Sequence, residues 1–452
     1  MPHKSVGVRI ASPDHLRSRG MTATMSTAGL SGSVPRSDGE TVSPALVPPP
    51  GNPRFRLMDA LRAIAALSVL IYHVGFFGHF QQAHSYGFVL SSLGFGVAIF
   101  FVLSGFLLYR PFFNAEMTGA PRPRLRDFAR RRVLRVVPAY WLALTVLATF
   151  PGLAGVFTDH WWRYYGFLQG YASQTLVRAS GIPVAWSLGI EVSFYVALPF
   201  YAAATLWLSR SMSPARKVSF QLLSLTVLGG LSLLGGWVRL GTATPPLLLT
   251  FFDWFALGMA LAVISVALQG RQTQPRVVEF TIRHPAACWG AALGLYGVLS
   301  LVVSSAPQNY LYSHAQAAED HVLRGLIALL IVLPAVFGDW AGGAPRRLMS
   351  SGWMRWLGQI SYGIFLWHLP LLIWFYAHGV HSILLLLVCT LGATVACACA
   401  SYYLVELPLL RFKDRKPRLP SGPGSFSMVR ARRAKDSPAV RAAEPSTGSG
   451  AV

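Results

Sequence analysis

A chain of 452 residues with 53% hydrophobic and only 12% charged side chains departs from a water-soluble domain, in which about a quarter of residues carry charge. The formal net charge of +22 does not mark a nucleic-acid binder, because the basic residues are scattered through short loops and tails without interleaved aromatic or glycine-rich patterns. The four cysteines, Cys288, Cys389, Cys397 and Cys399, all lie in apolar runs and read as small hydrophobes, not as a disulfide framework or metal site.

In chain order, residues 1–52 are rich in Ser, Pro, Gly and Thr, hold no apolar run suited to a signal peptide, and are expected to be disordered. Residues 53–412 read as one transmembrane domain. Apolar runs of about 20 residues, the length a helix needs to cross a bilayer, fall near 57–77, 89–109, 133–150, 184–208, 218–238, 246–268, 285–304, 322–338, 354–376 and 382–404. The expected fold is therefore all-α: a polytopic protein of about ten transmembrane helices, multi-pass in the cell membrane. Residues 413–452 form a basic tail rich in Pro, Gly and Ser, expected to be disordered and able to touch anionic lipid.

Lys and Arg alternate between the connecting segments. Arg110 and the run from Arg122 to Arg132 follow the second span, Arg210, Arg216 and Lys217 the fourth, and Arg411, Lys413, Arg415 and Lys416 the tenth. Segments 78–88, 305–321 and 377–381 carry none. Because cytoplasmic loops concentrate positive charge, both termini are expected in the cytoplasm.

Polar residues inside the spans are the candidates for chemistry. They are Asp59, Arg62 and His73 in the first span, Ser104 in the second, Glu191 in the fourth, Asp253 in the sixth, His368 in the ninth and Glu406 at the end of the tenth. Arg62 and His73 are eleven residues apart, so at about 100° per residue they share one helix face, separated by about 16 Å along the axis. No span holds His or carboxylate pairs three or four residues apart, so no metal is expected. Neither a phosphate-cradling glycine loop nor a Gly-x-Ser-x-Gly elbow is present. What remains is acid–base work by histidine, whose ordinary pKa near 6.5 suits proton transfer near neutral pH, with Arg62 able to hold an anion.

Six blocks in order then resemble the integral membrane acyltransferases of the acyltransferase-3 type, which O-acylate sugars and related carbohydrates. They are Asp59-Ala-Leu-Arg62 through His73; Gly96 through Ser104-Gly105-Phe106; Arg131-Arg132-Val-Leu-Arg135-Val-Val-Pro138-Ala-Tyr140-Trp141; Trp186-Ser187-Leu188-Gly-Ile-Glu191 through Tyr195; Gly358-Gln-Ile-Ser361-Tyr362 through His368-Leu-Pro370; and Glu406-Leu-Pro408. Ala60, Ala98 and Leu407 depart from the family's usual glycine, acidic and basic residues. The resemblance covers roughly 55–412 and suggests a stand-alone member without the esterase-like domain that many members carry after the last span.

The resemblance implies a chemistry. Acyl-CoA, with acetyl-CoA the first expectation, serves as co-substrate from the cytoplasmic side, with no bound cofactor. A carbohydrate or glycosylated molecule is the acceptor. His73 would act as general base, Arg62 as a charged partner, and Glu191 would orient His73 or the sugar. Arg131, Arg132 and Arg135 would hold the donor's phosphates, and Ser104, Trp186, Ser361, Tyr362 and His368 would line the cavity. Each assignment has a plainer rival: the arginines as a topology anchor, His368 as a hydrogen-bonded interior histidine, Glu191 as interhelical glue, Asp59 as a cap or ion-pair partner, Ser104 beside Gly105 as a packing site. The alternatives from other classes are a membrane transporter using the Arg62–His73 stripe as its pathway and a non-catalytic partner in envelope assembly.

Overall fold

The computed structural model describes residue 55 and residues 57–78, 87–172, 180–239, 247–271, 273–304, 313–337 and 344–413. All of them belong to one compact unit. The segments expected to be disordered, 1–52 and 413–452, lie outside the described residues apart from Lys413.

Ten helices are long and apolar enough to cross a membrane, and no strand is found among the described residues. We number them α1 (Leu57–Phe77), α2 (Gly96–Thr118), α3 (Leu125–Thr149), α4 (Ala185–Leu208), α5 (Pro214–Arg239), α6 (Leu248–Ala267), α7 (Pro285–Ser304), α8 (His314–Phe337), α9 (Gly352–Ala377) and α10 (Ile383–Ser401). Each coincides with one expected span. The differences are at the ends: the first residues of the second span form a separate short helix, Gly87–Ser91, and a 3-10 turn ahead of α2, while some other helices continue past the apolar run. α3 begins at Leu125, so Arg126, Arg130, Arg131 and Arg132 are helical residues, and α8 begins at His314, which brings Asp320 and His321 into the helix. Backbone hydrogen bonding continues while side chains turn polar, because charged residues are good helix formers outside hydrocarbon.

Helices in lipid gain little from hydrophobic burial against one another, so close backbone approach and dispersion hold them together. The crossing of α2 and α6 shows this directly. A methyl group at Gly105 would strike the Phe255 carbonyl, and one at Gly258 would strike the carbonyl of Val102. Phe255 fills the adjoining layer, stacked on Phe101 with centroids 4.4 Å apart and on Phe194 at 4.1 Å. α1 packs chiefly on α9 and α9 on α10, while α5 packs on α6 and α7 on α8. α3 and α4 close the remaining side, and Tyr362 of α9 donates a hydrogen bond across to the Val136 carbonyl of α3 at 2.9 Å.

Candidate active site

A small cavity lies among α1, α2, α3, α4 and α9. Its polar lining comes from Arg62, Ser104, Arg132, Arg135, Glu191, Ser361 and Tyr362, with Ser187 and Tyr195 beside them. Five helices thus deliver one to three polar side chains each, from largely apolar sequence, to one cavity.

The charges are arranged unevenly. Arg62 is about a fifth exposed and pairs with Asp59 one turn earlier at 3.0 Å. Glu191 accepts a hydrogen bond from the Ser104 hydroxyl at 2.5 Å, tying α4 to α2. Arg132 lies over the Tyr195 ring at 5.9 Å, and its Nε is buried with no hydrogen-bond partner. Neither Arg132 nor Arg135 enters an ion pair among the described residues. Buried guanidinium nitrogens normally find partners, and the Arg132 Nε has none among the described residues. Glu406 lies close enough to exert a field on Arg135. It is buried, placed by a single π turn at Tyr402–Glu406, and hydrogen-bonded by Ser401 at 3.3 Å.

His73 is not among the lining residues, and neither are His368, Trp186 and Arg131. Trp186 instead packs on Phe251 of α6, centroids 5.4 Å apart. His73 and His368 meet each other. The Nε2 of His368 is 3.2 Å from the Nδ1 of His73, which is also 2.8 Å from the Val69 carbonyl oxygen. His368 is fully buried, with its Nδ1 3.1 Å from the Ile364 carbonyl oxygen and 2.9 Å from that of Phe365. The site therefore has two levels, arginines and Glu191 at one and a histidine pair at the other, joined by the α1 face that carries Arg62 and His73 about 16 Å apart.

One buried ionisable group was only half legible in the sequence. Asp253 of α6 is 2.9 Å from the Nε2 of His321 on α8 and accepts a hydrogen bond from Ser232 of α5 at 3.0 Å. His321 precedes the apolar run of its span, so hydropathy alone gave no sign that it lies inside a helix. Among the described residues no group of three or more His, Cys, Asp or Glu side chains is placed to hold a metal ion.

A family described as an acyltransferase domain, acyltransferase-3, matches residues 56–403. The chain belongs to this family. Among similar proteins is one from Bacillus subtilis (strain 168) named "Putative peptidoglycan O-acetyltransferase YrhL", 27% identical over 337 residues, which cover 70% of this chain and 48% of that protein. Another is the "Peptidoglycan O-acetyltransferase OatA" of Listeria monocytogenes (serovar 1/2a, strain EGD-e), 25% identical over 346 residues, 70% of this chain and 49% of that one. The chain spans about half the length of these curated relatives. No solved structure matches it.

Proposed function

We propose that residues 53–412 form an integral membrane O-acyltransferase that moves a short acyl group, acetyl from acetyl-CoA in the first instance, to a hydroxyl of a carbohydrate or glycosylated acceptor. The observation that supports this reading is a cavity wall carrying two half-buried arginines, Arg132 and Arg135, that make no ion pair among the described residues, in one helix bundle with a histidine pair. The relatives named for peptidoglycan O-acetylation make a cell-wall saccharide the first acceptor to offer.

In this mechanism the phosphates of the donor lie against Arg132 and Arg135, entering from the basic, cytoplasmic end on which both termini also lie. His73 removes the acceptor hydroxyl proton as that oxygen bonds to the thioester carbonyl carbon. The C–S bond then breaks, and the departing thiolate takes the proton from His73, so the base is regenerated and atoms balance. Glu191, held by Ser104, offers a carboxylate at the cavity wall for substrate hydroxyls.

Labelled acetyl-CoA offered with mixed saccharide acceptors to membranes containing the wild type or His73→Ala tests this. Label should enter a sugar ester with the wild type, and His73→Ala should be slower by about 10²–10⁴-fold, the usual worth of a general base. Equal transfer by His73→Ala overturns the assigned base. Absence of transfer by either, with radiolabelled saccharide still crossing the membrane, supports a transporter instead.

A further inference from the structure

The two histidines constrain each other's protons. A carbonyl oxygen can only accept, so the Nδ1 of His368, facing the Ile364 and Phe365 carbonyls at 3.1 and 2.9 Å, carries its hydrogen. A neutral imidazole has one N–H, which leaves the Nε2 of His368 as an acceptor. That nitrogen is 3.2 Å from the Nδ1 of His73, whose other neighbour is the Val69 carbonyl oxygen at 2.8 Å. Both partners of His73 Nδ1 accept, so His73 must donate from Nδ1.

We infer that His368 is a positioning residue for His73: with the Val69 carbonyl it fixes the His73 proton on Nδ1 and leaves the Nε2 lone pair free to act as the base. The catalytic part of this inference rests on the acyltransferase reading above; the tautomer does not. The surroundings agree with a neutral partner. Tyr72 packs edge-on to His73 at 4.8 Å and Phe365 lies 6.0 Å from His368. No carboxylate or guanidinium among the described residues makes an ion pair or hydrogen bond with either ring.

A consequence for catalysis follows. When Nε2 of His73 takes the hydroxyl proton, the bonds from Nδ1 stay where they are and become charge-assisted, so the imidazolium is stabilised without ring rotation. A second consequence concerns His368 itself, which helps only while its Nε2 is unprotonated, because two N–H groups would otherwise face each other.

The test uses the full-length protein in lipid nanodiscs with ¹⁵N-histidine, His73 being assigned by its loss in His73→Gln. The wild-type spectrum should show His73 protonated on Nδ1 with Nε2 bare. In the transfer assay His368→Leu should lower kcat by about 10²-fold with the acetyl-CoA KM within about twofold, since orientation and not donor binding is lost. His368→Gln, whose amide oxygen can accept from His73, should stay within about tenfold of wild type. Overturning results are a His73 proton on Nε2, a His368→Leu enzyme as fast as wild type, or equal losses in the Leu and Gln variants. A wild type without transferase activity sinks the acyltransferase reading, while the spectrum still decides the tautomer.

Discussion

Arg132 is half-buried, with an aromatic ring beneath its guanidinium, a buried Nε without a hydrogen-bond partner and no ion pair among the described residues. If it grips donor phosphate, Arg132→Gln should raise the acetyl-CoA KM by about 10–100-fold, matching the loss of one charge-assisted bond of about 1.5–3 kcal/mol, with kcat less affected. Arg132→Lys should fall between, because a lysine keeps charge but lacks the flat fork. A change in kcat alone, measured at saturating donor, would falsify the phosphate role. Arg62 and Glu191, which line the cavity, stood out in the sequence as ionisable residues amid some twenty apolar ones, and so did His73, which does not line it. The partnership of His73 with His368 did not, because nothing in spacing along two separate helices says which side chains meet. Trp186 lies in a block resembling the family, yet it packs on Phe251 and stands outside the cavity wall.

At the scale of elements, the crossing of α2 and α6 depends on two residues that have no side chain. Gly258→Val would push a methyl against the Val102 carbonyl and so separate the helices that carry Ser104 and the Phe255 layer. Overpacking of this kind costs about 1–3 kcal/mol. A lower thermal midpoint in detergent, with reduced activity that a substitution at the open Gly230 does not cause, is the expected result; an unchanged midpoint would show that the crossing can relax. The positions of all ten spans could be read from apolar run length alone, because that length is set by the bilayer and not by partners. Their ends could not. Charged first turns still belong to the helix, which is how Arg132 came to be held on a rigid element and how His321 came to face Asp253. Helix pairing was equally hidden, since small residues at a crossing look in sequence like any other small residues.

The described residues hold ten helices long and apolar enough to cross a membrane, and an even number of crossings returns the chain to the side from which it started. With the basic segments on the cytoplasmic side, as proposed, tags placed at the two termini should be protected together in intact cells and cleaved together in inside-out vesicles, and cleavage of one alone would exclude an even-numbered arrangement. Finally, if the proposed acyl transfer holds, the rise of about 16 Å from Arg62 to His73 along α1 would work as a ruler. A donor would then be selected for its reach, its anionic end at the arginine level of the cavity and its reactive carbon beside His73. Acetyl phosphate joins its anion directly to the acyl group and so satisfies one station or the other. An acetyl thioester of the bare pantetheine arm spans the distance but arrives without a handle. Neither should replace acetyl-CoA at equal concentration, whatever the acceptor, because selectivity here is written in length before it is written in acyl chemistry.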